Sequence, residues 1–72
     1  MNKENLIEII QQTLETQDDI TENTMLEDLD EFDSLGILSL IVMYQKYGTS
    51  PSIEIISSAK KVSDLIEIFN NE

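Results

Sequence analysis

The segment from Ser34 to Tyr47 constrains the fold most, because it is the longest apolar stretch of the sequence and contains no acidic residue. Asp33 directly precedes this segment, and a carboxylate in that position can accept hydrogen bonds from the unpaired N–H groups of a helix's first turn. Gly48 follows it, and glycine is common just beyond the end of a helix. We therefore predict a helix over residues 34–47 that organises the rest of the chain.

This predicted helix is apolar on more than one side. One set of residues has the i, i+3, i+4, i+7 spacing of a face that packs on a core. The members of that set are Ile37, Leu40, Ile41 and Tyr44. A second set at similar spacing comprises Leu35, Leu38 and Val42. A chain of 72 residues is too short to surround a helix completely. The second face is therefore either covered by a loop or exposed and used for binding.

Two further segments have the spacing of amphipathic helices. Residues 3–16 carry one apolar stripe among acidic and amide side chains, and Asn2 is placed to cap this helix. Residues 62–70 carry a second stripe, with an acid in the first turn. Both patterns are typical of helices that pack one face on a core and leave the other in water.

The remaining segments are a long connection and a short helix. Residues 17–33 have irregularly spaced apolar side chains, which predicts an ordered loop with one short helical turn near 22–28. Ser52 can cap a short helix over residues 53–58. Strand patterns are missing, so we predict an all-α fold. It is a single domain over residues 1–72, a small four-helix bundle with three longer helices, one short helix and a long first loop.

The charge of the chain excludes several kinds of partner. Fifteen acids and four lysines give a net charge of −11, and eleven of the acids lie in residues 1–33. Such a surface is repelled by phosphate, so we expect no nucleic-acid partner, whereas basic partner surfaces are favoured. No stretch is long enough to cross a bilayer, and the start of the chain lacks a signal-peptide pattern. We expect a cytoplasmic monomer that does not insert into membranes.

The residue types also exclude most catalytic and metal chemistry. The sequence has no cysteine and no histidine, the commonest catalytic and metal-ligating side chains. The acids that begin at Asp28 fail the pattern of a calcium-binding loop, because Phe32, Asp33 and Ser39 occupy positions 5, 6 and 12. Ser34 has no neighbouring base that would activate it as a nucleophile. We therefore expect neither a dedicated metal site nor an enzyme.

Ser34 has two interpretations. An exposed hydroxyl at a helix N-terminus is a suitable attachment point for a phosphodiester, because backbone N–H groups and the helix dipole stabilise the anion. Alternatively, Asp33 and Ser34 are only a capping pair, which is the commoner case for an isolated Asp-Ser-Leu sequence.

Over nearly its whole length the chain resembles the acyl carrier protein family. The second helix of these acidic four-helix bundles opens with Asp-Ser-Leu, and here Asp33-Ser34-Leu35 occupies that place. Four further similarities follow the family's order and spacing. They are Ile20-Thr21, Leu26-Glu27-Asp28-Leu29, Tyr47-Gly48 followed by Pro51, and Val62-Ser63-Asp64-Leu65.

The resemblance implies a function for Ser34. It would carry a covalent 4′-phosphopantetheine arm, installed from coenzyme A by a phosphopantetheinyl transferase that also recognises the helix cap at Asp33. The terminal thiol of the arm would hold an acyl or aminoacyl group as a thioester. Further partners would be an acyl- or aminoacyl-loading ligase and acyl-transfer or condensing enzymes. The implied partner-binding residues are Leu35, Leu38, Ser39, Val42 and Ile53.

Departures from the common family pattern predict a specialised carrier rather than the housekeeping carrier of fatty acid biosynthesis. The second helix lacks the acids that usually meet basic partners, and Ser39 stands where an acid is common. One residue is added between Leu29 and Asp33, and Gly36 is closer to the D-alanyl and other aminoacyl carriers. The alternative is a small acidic helical adaptor that binds proteins through its apolar face, with Ser34 only a helix cap.

Overall fold

The computed structural model describes residues 2–70, which form a bundle of four α-helices. The helices are α1 (Lys3–Leu14), α2 (Ser34–Lys46), α3 (Ile53–Ser57) and α4 (Val62–Asn70). A 3₁₀ turn over Leu26–Asp28 lies in the first connection. The prediction of an all-α bundle with three longer helices and one short one is confirmed. Within the described range the only β-type pairing is an isolated bridge between Met25 and Lys61.

The helix ends follow local capping chemistry. The Asn2 side chain accepts a hydrogen bond from the Asn5 N–H at 2.8 Å, and the Ser52 hydroxyl accepts one from the Ile55 N–H at 3.2 Å, so both predicted caps are confirmed. The first helix ends two residues before the predicted 16. Glu15 terminates it by adopting a left-handed conformation with φ 57°. Gly48, with φ 87°, lies just beyond α2.

The bundle has one hydrophobic core to which all four helices contribute. The fully buried side chains at its centre are Ile10, Leu26, Leu40, Tyr44, Ile56, Val62 and Leu65. On the predicted core face of α2, Leu40 and Tyr44 are fully buried, and Ile37 and Ile41 are half-buried residues that pack against the core. Gly36 and Met43, which were not predicted, are also buried. The apolar residues of α2 surround most of the helix, so their spacing alone leaves its rotation about its axis undetermined.

The long first connection is ordered by its tertiary contacts. Its apolar residues Ile20, Leu26 and Leu29 are buried in the core. Its backbone is also bonded to the segment that joins α3 to α4. The Leu26 N–H donates to the Lys60 carbonyl at 2.8 Å. The Val62 N–H donates to the Thr24 carbonyl at 3.0 Å. The prediction of an ordered loop is confirmed. In the described part of the chain, no helix is long and apolar enough to cross a membrane.

Candidate functional site

Ser34 is the first residue of α2, and its side chain is exposed. The preceding residue, Asp33, has extended backbone dihedral angles and is the N-cap. Its carboxylate accepts a hydrogen bond from the Gly36 N–H at 2.9 Å, and its carbonyl accepts one from the Ile37 N–H at 2.8 Å. Asp33 therefore fills the capping position, and Ser34 does not. The Ser34 hydroxyl is left accessible at the positive end of a 13-residue helix.

The first connection, which leads to this helix end, is rich in carboxylates. Three of them, on Glu27, Asp28 and Asp30, are exposed, and that of Glu31 is half-exposed. Over residues 2–70, no three acidic side chains converge closely enough to hold a metal ion. Concentrated negative charge of this kind favours the approach of basic surfaces.

An open groove of about 230 Å³ lies next to Ser34, between the end of α1 and the start of α2. It is lined by Leu14, Glu15, Glu31, Gly36 and Ser39, together with Asp33. Sequence reasoning missed Glu15 as a residue of the site. It is distant from Ser34 in the sequence, and only the packing of α1 on α2 places it in the groove.

The second apolar face of α2 is exposed rather than covered by a loop. Leu35 is 73% exposed, and Leu38, Val42 and Ile53 are each more than half exposed. Ser39, which was predicted with them, is half-buried. Two exposed apolar side chains were missed, Tyr47 at the end of α2 and Ile55 on α3. Helical spacing could not have indicated the exposure of Tyr47, because it lies three residues after Tyr44 and seven after Leu40, in line with the predicted core stripe.

Two charged groups that do not line the groove have shifted pKa values. The backbone N–H groups of Lys60 and Lys61 donate to the Asp64 carboxylate at 2.9 and 3.1 Å, and these bonds lower the pKa of Asp64. The ion pair of Lys3 with Glu22, at 2.7 Å, raises the pKa of Lys3. The first arrangement fixes the backbone at the start of α4, and the second joins α1 to the first connection.

The chain matches no family model. No curated protein and no solved structure matches it either. An assignment of function therefore depends on the chemistry of the site itself.

Proposed function

We propose that the protein is a carrier that holds an acyl or aminoacyl group as a thioester on a 4′-phosphopantetheine arm attached to Ser34. One observation supports this proposal above the others. Ser34 is the exposed first residue of α2, while the neighbouring Asp33 already caps the helix. The hydroxyl is therefore accessible to a modifying enzyme, and its modification leaves the cap in place.

The surroundings of Ser34 suit such a group. A phosphodiester there would lie at the positive end of the dipole of α2, where anions are stabilised. The carboxylate of Asp33 opposes this attraction, but its hydrogen bond to the Gly36 N–H offsets part of its charge. When bound, the arm supplies the thiol that a sequence without cysteine lacks. The residues of the chain present the attachment point and carry the surface that partners contact.

The partners of such a carrier follow from its surface. A phosphopantetheinyl transferase, a loading ligase and acyl-transfer or condensing enzymes would dock on the exposed face formed by Leu35, Leu38, Val42 and Ile53, with Ser39 at its margin. This face contains no acid on α2, so its binding is dominated by apolar contact. We infer a specialised acyl or aminoacyl pathway rather than the general fatty acid pathway, and a monomer acting in the cytoplasm.

The test is transfer of the arm in vitro. The protein is incubated with a broad-specificity phosphopantetheinyl transferase, coenzyme A and Mg²⁺, and its intact mass is measured. We expect wild type and a Ser50→Ala control, which removes another exposed serine hydroxyl, to gain the mass of one arm. Ser34→Ala should gain none. An unmodified wild type, or a modified Ser34→Ala, would contradict the carrier assignment.

The exposed apolar face also favours a second candidate function. Leu35, Leu38 and Val42 together offer the kind of surface on which a small acidic adaptor docks to another protein. An adaptor needs no modification of Ser34. Protein purified from its native host without an attached arm, together with partner binding that persists in Ser34→Ala, would favour the adaptor over the carrier.

A further inference from the structure

Gly36, two residues after Ser34, is where three segments of the chain meet. Its N–H donates to the Asp33 carboxylate, as described above. A β-carbon placed on it would lie 2.0 Å from the Glu31 carbonyl oxygen and 3.1 Å from a methyl carbon of Leu14. The first distance is far inside van der Waals contact, so this approach is possible only for glycine. The end of α1, the connection and the first turn of α2 therefore converge on one α-carbon.

The carbonyl that approaches Gly36 belongs to a turn with little room to move. The Phe32 N–H donates to the Leu29 carbonyl at 3.1 Å, which closes a β-turn with Glu31 at its third position. The Leu29 side chain is buried in the core on one side of this turn. On the other side the chain continues directly into the Asp33 cap. A displaced Glu31 carbonyl would therefore also displace the cap and the residue next to it, Ser34.

We propose that Gly36 is a positioning residue for the modification of Ser34, because its missing side chain lets the turn at Leu29–Phe32 lie against α2 and fix the place of the serine. This inference depends on the proposed carrier function. Gly36 itself contacts neither the arm nor the transferred group. It acts through the turn and through the Asp33 cap.

The change Gly36→Ala has opposite expected effects on the helix and on the site. Alanine is the better helix former, so α2 alone would be stabilised. The added methyl group requires the Glu31 carbonyl to retreat by more than about 1 Å to reach an ordinary contact. A displacement of this size at a reacting group lowers rates by about tenfold to a hundredfold.

The experiment compares two glycine-to-alanine variants. Gly36→Ala adds a methyl group where there is no space. Gly48→Ala adds a methyl group where no atom lies within 4 Å. Because φ at this position is 87°, the alanine strains the backbone at the other end of α2. The measured quantities are kcat/KM for arm transfer and the amide hydrogen exchange of Phe32 and of position 36. We expect Gly36→Ala to lower kcat/KM and speed this exchange about tenfold or more, and Gly48→Ala to leave both near wild type.

Several outcomes would overturn the proposal. It fails if Gly36→Ala is modified at the wild-type rate, or if both variants are slowed equally. If wild type takes no arm, the carrier function itself fails. Unchanged amide hydrogen exchange at Phe32 and position 36 in Gly36→Ala would refute the positioning role, whether or not the carrier function holds.

A double variant covers the case in which Gly36→Ala does not fold. Adding Glu31→Gly makes further backbone conformations accessible to the turn, so that the carbonyl of residue 31 can rotate away from α2. Recovery of folding and of part of the modification rate would support the contact as the cause. A double variant that remains unfolded would overturn the proposal.

Discussion

The link between α2 and α4 gives the most specific prediction about stability. The Tyr44 hydroxyl, fully buried, donates a hydrogen bond to the Leu65 carbonyl at 2.6 Å. Tyr44→Phe removes this bond but keeps the ring, whose centroid lies 4.7 Å from that of Phe69. The Leu65 carbonyl lies within α4 and retains its helical partner, so no acceptor is orphaned. The expected loss is therefore about 1 kcal/mol, the net value of one hydrogen bond.

A loss of about 1 kcal/mol lowers the melting temperature of a domain of this size by about 4–8 °C. Thermal and urea unfolding followed by circular dichroism measure it. Tyr47→Phe is the matched control, because that tyrosine also contacts Phe69, at 5.9 Å, but is 47% exposed. We expect its stability to stay within about 0.5 kcal/mol of wild type. Equal stability of Tyr44→Phe and wild type, or equal losses in both variants, would refute this account of the α2–α4 link.

Two further predictions concern polar groups in the connections. Asp64→Asn should lower the free energy of unfolding near neutral pH, because the pKa of Asp64 is lowered in the folded state by the N–H groups of Lys60 and Lys61. The stabilisation by the charged carboxylate is present above its ordinary pKa of 3.8 and is lost as the pH falls through the lower pKa of the folded state. Urea unfolding curves of Asp64→Asn and wild type should therefore converge in acid. Thr49→Val should raise the free energy of unfolding by about 1 kcal/mol, because the Thr49 hydroxyl is buried without a hydrogen-bond partner within residues 2–70. A lower urea midpoint in Thr49→Val than in wild type would show that the Thr49 hydroxyl has a hydrogen-bond partner, which would contradict the prediction.

The helices were predictable where a single apolar stripe defined the buried face. In α1 the predicted stripe was Leu6, Ile7, Ile9, Ile10 and Leu14, of which Leu6, Ile10 and Leu14 are buried and the other two are half-buried against the core. In α2 the spacing suggested Ile37 and Ile41 for the core, and both are only half-buried. A helix with apolar residues on most sides can turn about its axis at little cost in burial, so its rotation is set by its neighbours.

The site was predictable only as far as local chemistry determines it. The Asp33 cap and the exposure of Ser34 follow from residue types at a helix start. The place of Glu15 in the groove depends on the packing of α1 on α2, and the approach of the Glu31 carbonyl to Gly36 depends on how the first connection folds back on α2. Such contacts between irregular segments leave no periodic pattern in the sequence. Nothing in the sequence around Gly36 indicated the close approach of the Glu31 carbonyl to it.

The two ends of α2 are held by different means, so under the proposed carrier function different substitutions should affect stability and the modification of Ser34. At its C-terminal end the Tyr44 hydrogen bond fixes α2 to α4, whereas at its N-terminal end Gly36 and the Asp33 cap fix the connection next to Ser34. Tyr44→Phe should therefore lower the melting temperature while the folded fraction is modified at the wild-type kcat/KM. Gly36→Ala should slow modification, whatever the net sign of its effect on the melting temperature. If Tyr44→Phe slowed modification as strongly as Gly36→Ala at a temperature where both are folded, α2 would respond as one rigid unit and the local role of Gly36 would be excluded.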